Sequence, residues 1–286
     1  MKRWVWLVVA MWVSLPAFGS DAGPPEKKKK ADRTAVEIYE AGLRHMRQGA
    51  HTRALEDFNR VRNYFRDDPL SVKAQLAIAD LYFKKGDLEQ ARFAYEEFAS
   101  YHPRHPDLDY VTWRTGFAIY KQASKFAGRD QTSTRSAVNA WTGFETRFPE
   151  SSYASEVAEL MGKARDRLAA KELHIARFYA DRKKWVATGG RTERLVARYP
   201  DSRHVPEALG LWGIALHRVG DVAATQGVRV TLAARTDAAR ALARLDREIA
   251  RPPGAPPVDE IFFRPYRIRG SGGPAAAAAG SGAPQR

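Results

Sequence analysis

Seven histidines, His45, His51, His102, His105, His174, His204 and His217, are the first place to look for metal or acid–base chemistry in this chain. Only His102 and His105 are close enough in sequence to act together. They lie in the proline-flanked run HPRHP (102–106), where a rigid connection accounts for them better than a metal ion. No GxxxxGK[ST] phosphate loop, GxGxxG fingerprint or HExxH pair occurs. Nearly all Asp and Glu stand at helical spacing from an Arg or Lys, the pattern of solvated ion pairs, and no two stand out as acid and base. With 0 cysteines there is no thiol nucleophile and no cysteine–zinc site. No catalytic residue, metal or cofactor is therefore assigned. What remains is the chemistry of recognition. Tyr82, Tyr95, Phe98, Trp113, Tyr120, Phe178 and Tyr179 supply rings for a core and, where exposed, rigid anchors for a bound chain.

The elements that must position these side chains are marked by proline. Asp68-Pro69, His102-Pro103, Phe148-Pro149 and Tyr199-Pro200 each follow an apolar helical stretch, and the last two sit in near-copies, RFPESSY (147–153) and RYPDSRH (198–204). Pro69 and Pro103 are 34 positions apart, the period of the tetratricopeptide helix–turn–helix. Between them Ala79 and Ala91 fall where two helices approach, Gly86 at the turn, and Tyr95 and Phe98 in the space between helices. Gly42, Gly49, Ala54 and Phe58 give the preceding unit the same skeleton. The next prolines are 46 and 51 positions apart, which predicts an insertion or an extended helix in each unit. A fifth, degenerate unit runs from about Pro206 through Gly213, Gly220 and Leu232. The pattern predicts an all-α tetratricopeptide-repeat superhelix of about five helix–turn–helix repeats, with almost no strand. Units of this kind bury their apolar faces only by stacking, and commonly bind peptides or other proteins.

Composition sets the boundaries. Lys2 and Arg3, the apolar run Trp4 to Leu15, and Ala17-Phe18-Gly19 read as a signal peptide over 1–19. Residues 20–33 read as a flexible basic leader with Lys27, Lys28, Lys29 and Lys30. The repeats are expected over 34–250, the N-terminal ones in 34–125 and the C-terminal ones in 126–250. A disordered Pro/Gly/Ala tail is expected over 251–286, with one island, IFFRPYRIR (261–269), that pairs aromatics with arginines. The net charge of +14 would suggest nucleic acid in a cytosolic protein. In an exported one an anionic membrane surface or an acidic protein face is the natural counterpart.

From Tyr64 to about Leu209 the chain resembles the outer-membrane protein assembly factor BamD family, also called the ComL type. The resemblance rests on HPRHPDLDYVTWRTGF (102–117), Arg129-Asp130 in GRDQTSTRSAV (128–138), RFPESSYASE (147–156) and, most densely, ARDRLAAKELHIARFYADRKKWVATGGRTERLVARYPDS (164–202). It implies a non-catalytic periplasmic scaffold beneath the outer membrane. C-terminal repeats would dock a periplasmic domain of the barrel-forming subunit, and N-terminal repeats would take the C-terminal segments of unfolded outer-membrane proteins. By position, Arg191 matches a family arginine that pairs with an acid of the barrel subunit, with Trp185 and Arg182 on the same expected face. Read without the resemblance, Arg191 is a surface arginine paired with Glu193 or Asp181. Tyr82, Tyr110 and Trp113 are the expected contacts for the substrate segment. The family's lipid-bearing cysteine is replaced by Ser20, so the four lysines are expected to take over part of the membrane contact. Gly189-Gly190 predicts a kink beside Arg191. The alternative reading is a repeat adaptor of another envelope complex, of the Tol-associated or surface-motility type, in which the long 164–202 string has no counterpart.

Overall fold

Helix α1 (Ala35–Arg47) opens on a capping box: the Glu37 N–H donates to Thr34 Oγ1 at 3.3 Å, and the Thr34 N–H donates to Glu37 Oε2 at 3.0 Å. The computed structural model describes residues 33–251. The expected signal peptide, the lysines at 27–30 and the tail beyond Arg251 lie outside the described residues. Among the described residues every regular element is helical. The chain divides after Ala74 into two compact units.

In the first unit α1 pairs with α2 (His51–Tyr64). Phe58 is fully buried, and a Cβ on Gly42 would stand 2.7 Å from its ring; only glycine lets the two helices close on that phenyl group. Ala54 and Val61 complete the contact face of α2. Ser71, near the start of α3 (Pro69–Lys85), donates to the Arg62 carbonyl at 3.4 Å.

The division falls inside α3, and the second unit carries the remaining helices: α4 (Leu88–Tyr101), α5 (Leu108–Gln122), α6 (Thr132–Trp141), a single turn α7 (Phe144–Arg147), α8 (Ala154–Asp181), α9 (Trp185–Arg198), α10 (Val205–Arg218), α11 (Val222–Ala233) and α12 (Ala239–Ile249). Ala79, Ala91, Tyr95 and Phe98 are all buried as the repeat pattern requires. Gly86 and Gly220 turn the chain with φ of +85° and +83°, a conformation that costs glycine little and other residues more. The α8–α9 turn has no glycine and places Lys183 at φ +58° instead.

The near-copies have one structural meaning. Ser151 Oγ donates to Asp109 Oδ2 at 2.6 Å and accepts the Tyr153 N–H. Ser202 Oγ donates to Asp166 Oδ1 at 2.6 Å and accepts the His204 N–H. Each Pro-x-Ser turn thus ties the end of a helix pair back to that pair's first helix. The longer proline spacings are explained too. The α5–α6 connection is an insertion closed by buried Gln131, whose amide donates to the Ser124 and Phe126 carbonyls, and α8 is an extended helix of 28 residues. Helix α9 runs unbroken through Gly189-Gly190, against the expected kink; the side chains of Thr188 and Thr192 bond back to carbonyls of the preceding turn.

Beyond the five expected pairs, α12 covers α10. Leu245 is fully buried and fills the space a side chain on Gly213 would occupy, 2.6 Å from the position of its Cβ. Arg218–Glu248 pairs across the same contact, and Arg229 of α11 pairs with Asp246 of α12. The fold class is all-α, of the tetratricopeptide-like helix-pair kind.

Candidate functional site

The polar group that organises the site is Asp80, an acid on the otherwise apolar stretch Ala77, Ile78, Ala79, Leu81 of α3. Its Oδ1 accepts from Tyr95 Oη on α4 at 2.6 Å and from Tyr110 Oη on α5 at 2.7 Å. Tyr110 Oη in turn accepts from Arg114 Nε at 3.0 Å. Burial, reinforced by the Asp80 carboxylate, pushes the Tyr110 phenol up to about 12 and raises that of Tyr95 further. Both phenols therefore remain donors at neutral pH, and the chain Arg114–Tyr110–Asp80–Tyr95 is a fixed network.

Residues Tyr110, Trp113, Arg114, Phe117 and Lys121 follow at helical spacing on α5, so they share one face. The Arg114 guanidinium lies 4.6 Å from the ring centres of Phe83 and Trp113 and 5.3 Å from that of Tyr110. Lys121 Nζ stands 5.2 Å from the Phe83 ring and 5.5 Å from Phe117. Trp113 stacks on Tyr153 at 4.6 Å and on Phe117 at 6.2 Å. The result is a surface of cations seated on rings, each cation held over π density yet partly open to solvent.

The structure brings together two of the three predicted groove residues. Tyr110 and Trp113 are 5.7 Å apart, whereas Tyr82, on α3, makes none of the ring contacts that join the cluster. Trp113 is only 9% exposed, so in place of the expected contact it is a buried ring, surrounded by those of Tyr153, Phe117 and Tyr110. Its indole N–H is buried without an acceptor. Asp80, Phe83, Arg114, Phe117 and Lys121 were missed by the sequence reading. The spacing 110, 113, 114, 117, 121 was the available signal.

On the second predicted face, Arg191 Nη1 pairs with Glu172 Oε2 of α8 at 3.1 Å, not with Glu193 or Asp181. Trp185 packs partly against the core of Leu173, Ala176 and Leu195, and six residues separate it from Arg191, about 120° around the helix. The expected single face carrying both is therefore not formed. Arg182 lies 3.6 Å above the half-exposed Phe178 ring and donates to the Phe178 carbonyl at 3.1 Å. His102 and His105 rest on Phe98 at 4.8 and 5.1 Å. His102 Nε2 meets Gln75 Oε1 at 3.0 Å and His105 Nδ1 accepts the Asp107 N–H, so both rings have structural partners. No metal-binding group of three or more such residues occurs among the described residues. A cleft of about 480 Å³ lies between α7, α8 and the Tyr199–Ser202 turn.

Helix pairs joined by tight turns, with aromatic rings and cations as their accessible chemistry, define a helical-repeat protein with a surface suited to binding. Residues 31–230 match the YfiO family, described as outer membrane lipoprotein, and the chain belongs to that family. It is 26% identical over 230 residues to the outer membrane protein assembly factor BamD of Neisseria meningitidis serogroup A, covering 77% of this chain and 86% of that protein. The BamD proteins of Pasteurella multocida (27% over 209 residues, 70% and 80% of the chains) and Haemophilus influenzae (26% over 202, 67% and 77%) are similar in the same way. Among the described residues no helix is long and apolar enough to cross a membrane.

Proposed function

We propose that this protein is a non-catalytic periplasmic scaffold for outer-membrane protein assembly, which holds the barrel-forming subunit on one surface and unfolded barrel substrates on another. The observation that carries the reading is the Arg114 cluster, set within a chain of this family whose similar proteins bear the name assembly factor. A substrate segment ending in an aromatic residue and a carboxylate suits it: Phe83, Phe117 and Tyr110 offer ring contacts, and Arg114 and Lys121 offer charge. Arg114 is already oriented by Tyr110 and Asp80, so little side-chain entropy is lost on binding. The barrel-forming subunit is assigned to the α8–α9 region, through Arg191, Arg182 and the exposed ring of Phe178, with Trp185 as support. Lys27 to Lys30 are assigned a weak contact with an anionic membrane surface.

The test is anisotropy of a labelled peptide taken from the C-terminus of a β-barrel protein, ending in Phe with a free carboxylate. Arg114→Gln weakens its binding by about tenfold or more, the value of a charge-assisted hydrogen bond. Amidating the peptide costs the wild type a similar factor and costs the variant less, since only Lys121 then remains to meet the carboxylate. Equal affinity of wild type and variant for the free-acid peptide would remove the cluster from the reading.

A further inference from the structure

Helix α12, the last among the described residues, carries a charge arrangement that neither the family nor the binding surfaces proposed above explain. Its apolar residues Leu242, Leu245 and Ile249 face the core beneath α10. Arg240, Arg244 and Arg247 occupy the opposite side within an arc of about 60°, over a length of ~10 Å, and all three are exposed. The acids around them are already committed. Asp237 pairs with Arg235, Asp246 with Arg229, and Glu248 with both Arg218 and Arg251. Asp221 caps α11 through the Ala224 N–H, and Glu207 holds Arg177. Among the described residues no carboxylate pairs with Arg240, Arg244 or Arg247, although arginines elsewhere on these last helices are paired. A row of uncompensated cations costs self-repulsion in the isolated protein, and an opposing layer of negative charge relieves it.

We propose that this arginine row docks the protein on an anionic phospholipid surface. Two facts on the sequence and family side favour a bilayer over an acidic protein as the occupant. The family is described as outer membrane lipoprotein, which sets proteins of this kind beside a bilayer. Past Arg251 the chain interleaves Phe262, Phe263 and Tyr266 with Arg264, Arg267 and Arg269, a composition suited to a headgroup interface. Because the apolar face of α12 is occupied by α10, the contact is electrostatic and lies on the surface without insertion. Each arginine at such a surface is worth about fivefold in partitioning, and three together on the order of a hundredfold at low salt.

The proposal rests on the envelope placement but not on the identity of any protein partner. Its test is sedimentation of the purified full chain with vesicles of phosphatidylglycerol and phosphatidylcholine, against vesicles of phosphatidylcholine alone. Wild type binds the anionic vesicles, loses them as salt rises, and ignores the neutral ones. R240Q/R244Q/R247Q keeps the wild-type melting temperature, since the three side chains have no ion-pair partner among the described residues, and binds about a hundredfold less. A Lys27–Lys30 to Gln variant, made in parallel, retains the α12 contribution. Unchanged vesicle binding by the arginine variant overturns the proposal, as does loss of all binding in the lysine variant. If the arginine variant binds vesicles normally but loses a crosslinked protein in cells, the row is a protein-docking face and the membrane assignment is wrong.

Discussion

Single residues decide how closely these helices approach, and two glycines show opposite consequences. A Cβ on Gly116 would stand 2.2 Å from Nε1 of Trp141, a fully buried indole whose N–H donates to the Trp113 carbonyl at 3.2 Å. The ring is rigid and has nowhere to go. Gly116→Ala should therefore cost about 2 kcal/mol or more through overpacking and the lost hydrogen bond. Gly189 is equally helical, but its Cβ would meet Trp212 at 3.8 Å, an ordinary contact. Gly189→Ala should be neutral or stabilise by about 0.5–1 kcal/mol, as alanine does in a helix interior. Urea denaturation of the two variants checks the contrast, and equal destabilisation by both would contradict it. The same scale shows what the sequence could and could not reveal. Gly42 and Phe58 were legible because the repeat fixes which positions touch. Trp113 was not, because a ring on a helix face reads alike whether Tyr153, from a distant turn, covers it or solvent does. Asp80 was hidden for a related reason: its role exists only once Tyr95 and Tyr110 arrive from other helices.

At the scale of the element, turns are where the pattern was clearest and where it failed. Gly49, Gly86 and Gly220 mark three helix–helix turns with positive φ. The fourth comparable turn uses Lys183 at φ +58°, paying the cost that a Cβ brings in the left-handed region. Lys183→Gly should raise stability by about 1 kcal/mol, readable as an upward shift in melting temperature with unchanged helix content. A fall in melting temperature would mean that the lysine side chain contributes more than its backbone costs. The long α8 and the α5–α6 insertion were foreseen as alternatives for the wide proline spacings, and each is used once. Helix α12 was not separated from the fifth repeat, since it has no proline, glycine turn or aromatic of the repeat pattern to announce it. Its strict division into an apolar side and an arginine side was nevertheless present in the sequence, and it is that division which leaves three cations without an ion-pair partner among the described residues.

For the molecule as a whole, the family membership and the all-α repeat fold were legible because both rest on long strings of residues, chiefly 164–202. The surroundings of Arg191 were legible only in part: its position could be carried over from the resemblance, but its partner Glu172 comes from α8 and could not be read from local spacing. This pair sharpens the test. Arg191→Glu places two carboxylates together and so removes both the internal pair and any external one. The double exchange Arg191→Glu with Glu172→Arg restores the internal pair alone. The deciding measurement is recovery of the barrel-forming subunit with this protein from crosslinked cells, for wild type, the single variant and the exchange. Recovery is expected for wild type and loss for both variants, with the exchange folded as stably as wild type. Recovery restored by the exchange would reduce Arg191 to an internal brace, and failure of wild type itself to recover any barrel-forming subunit would contradict the assembly function.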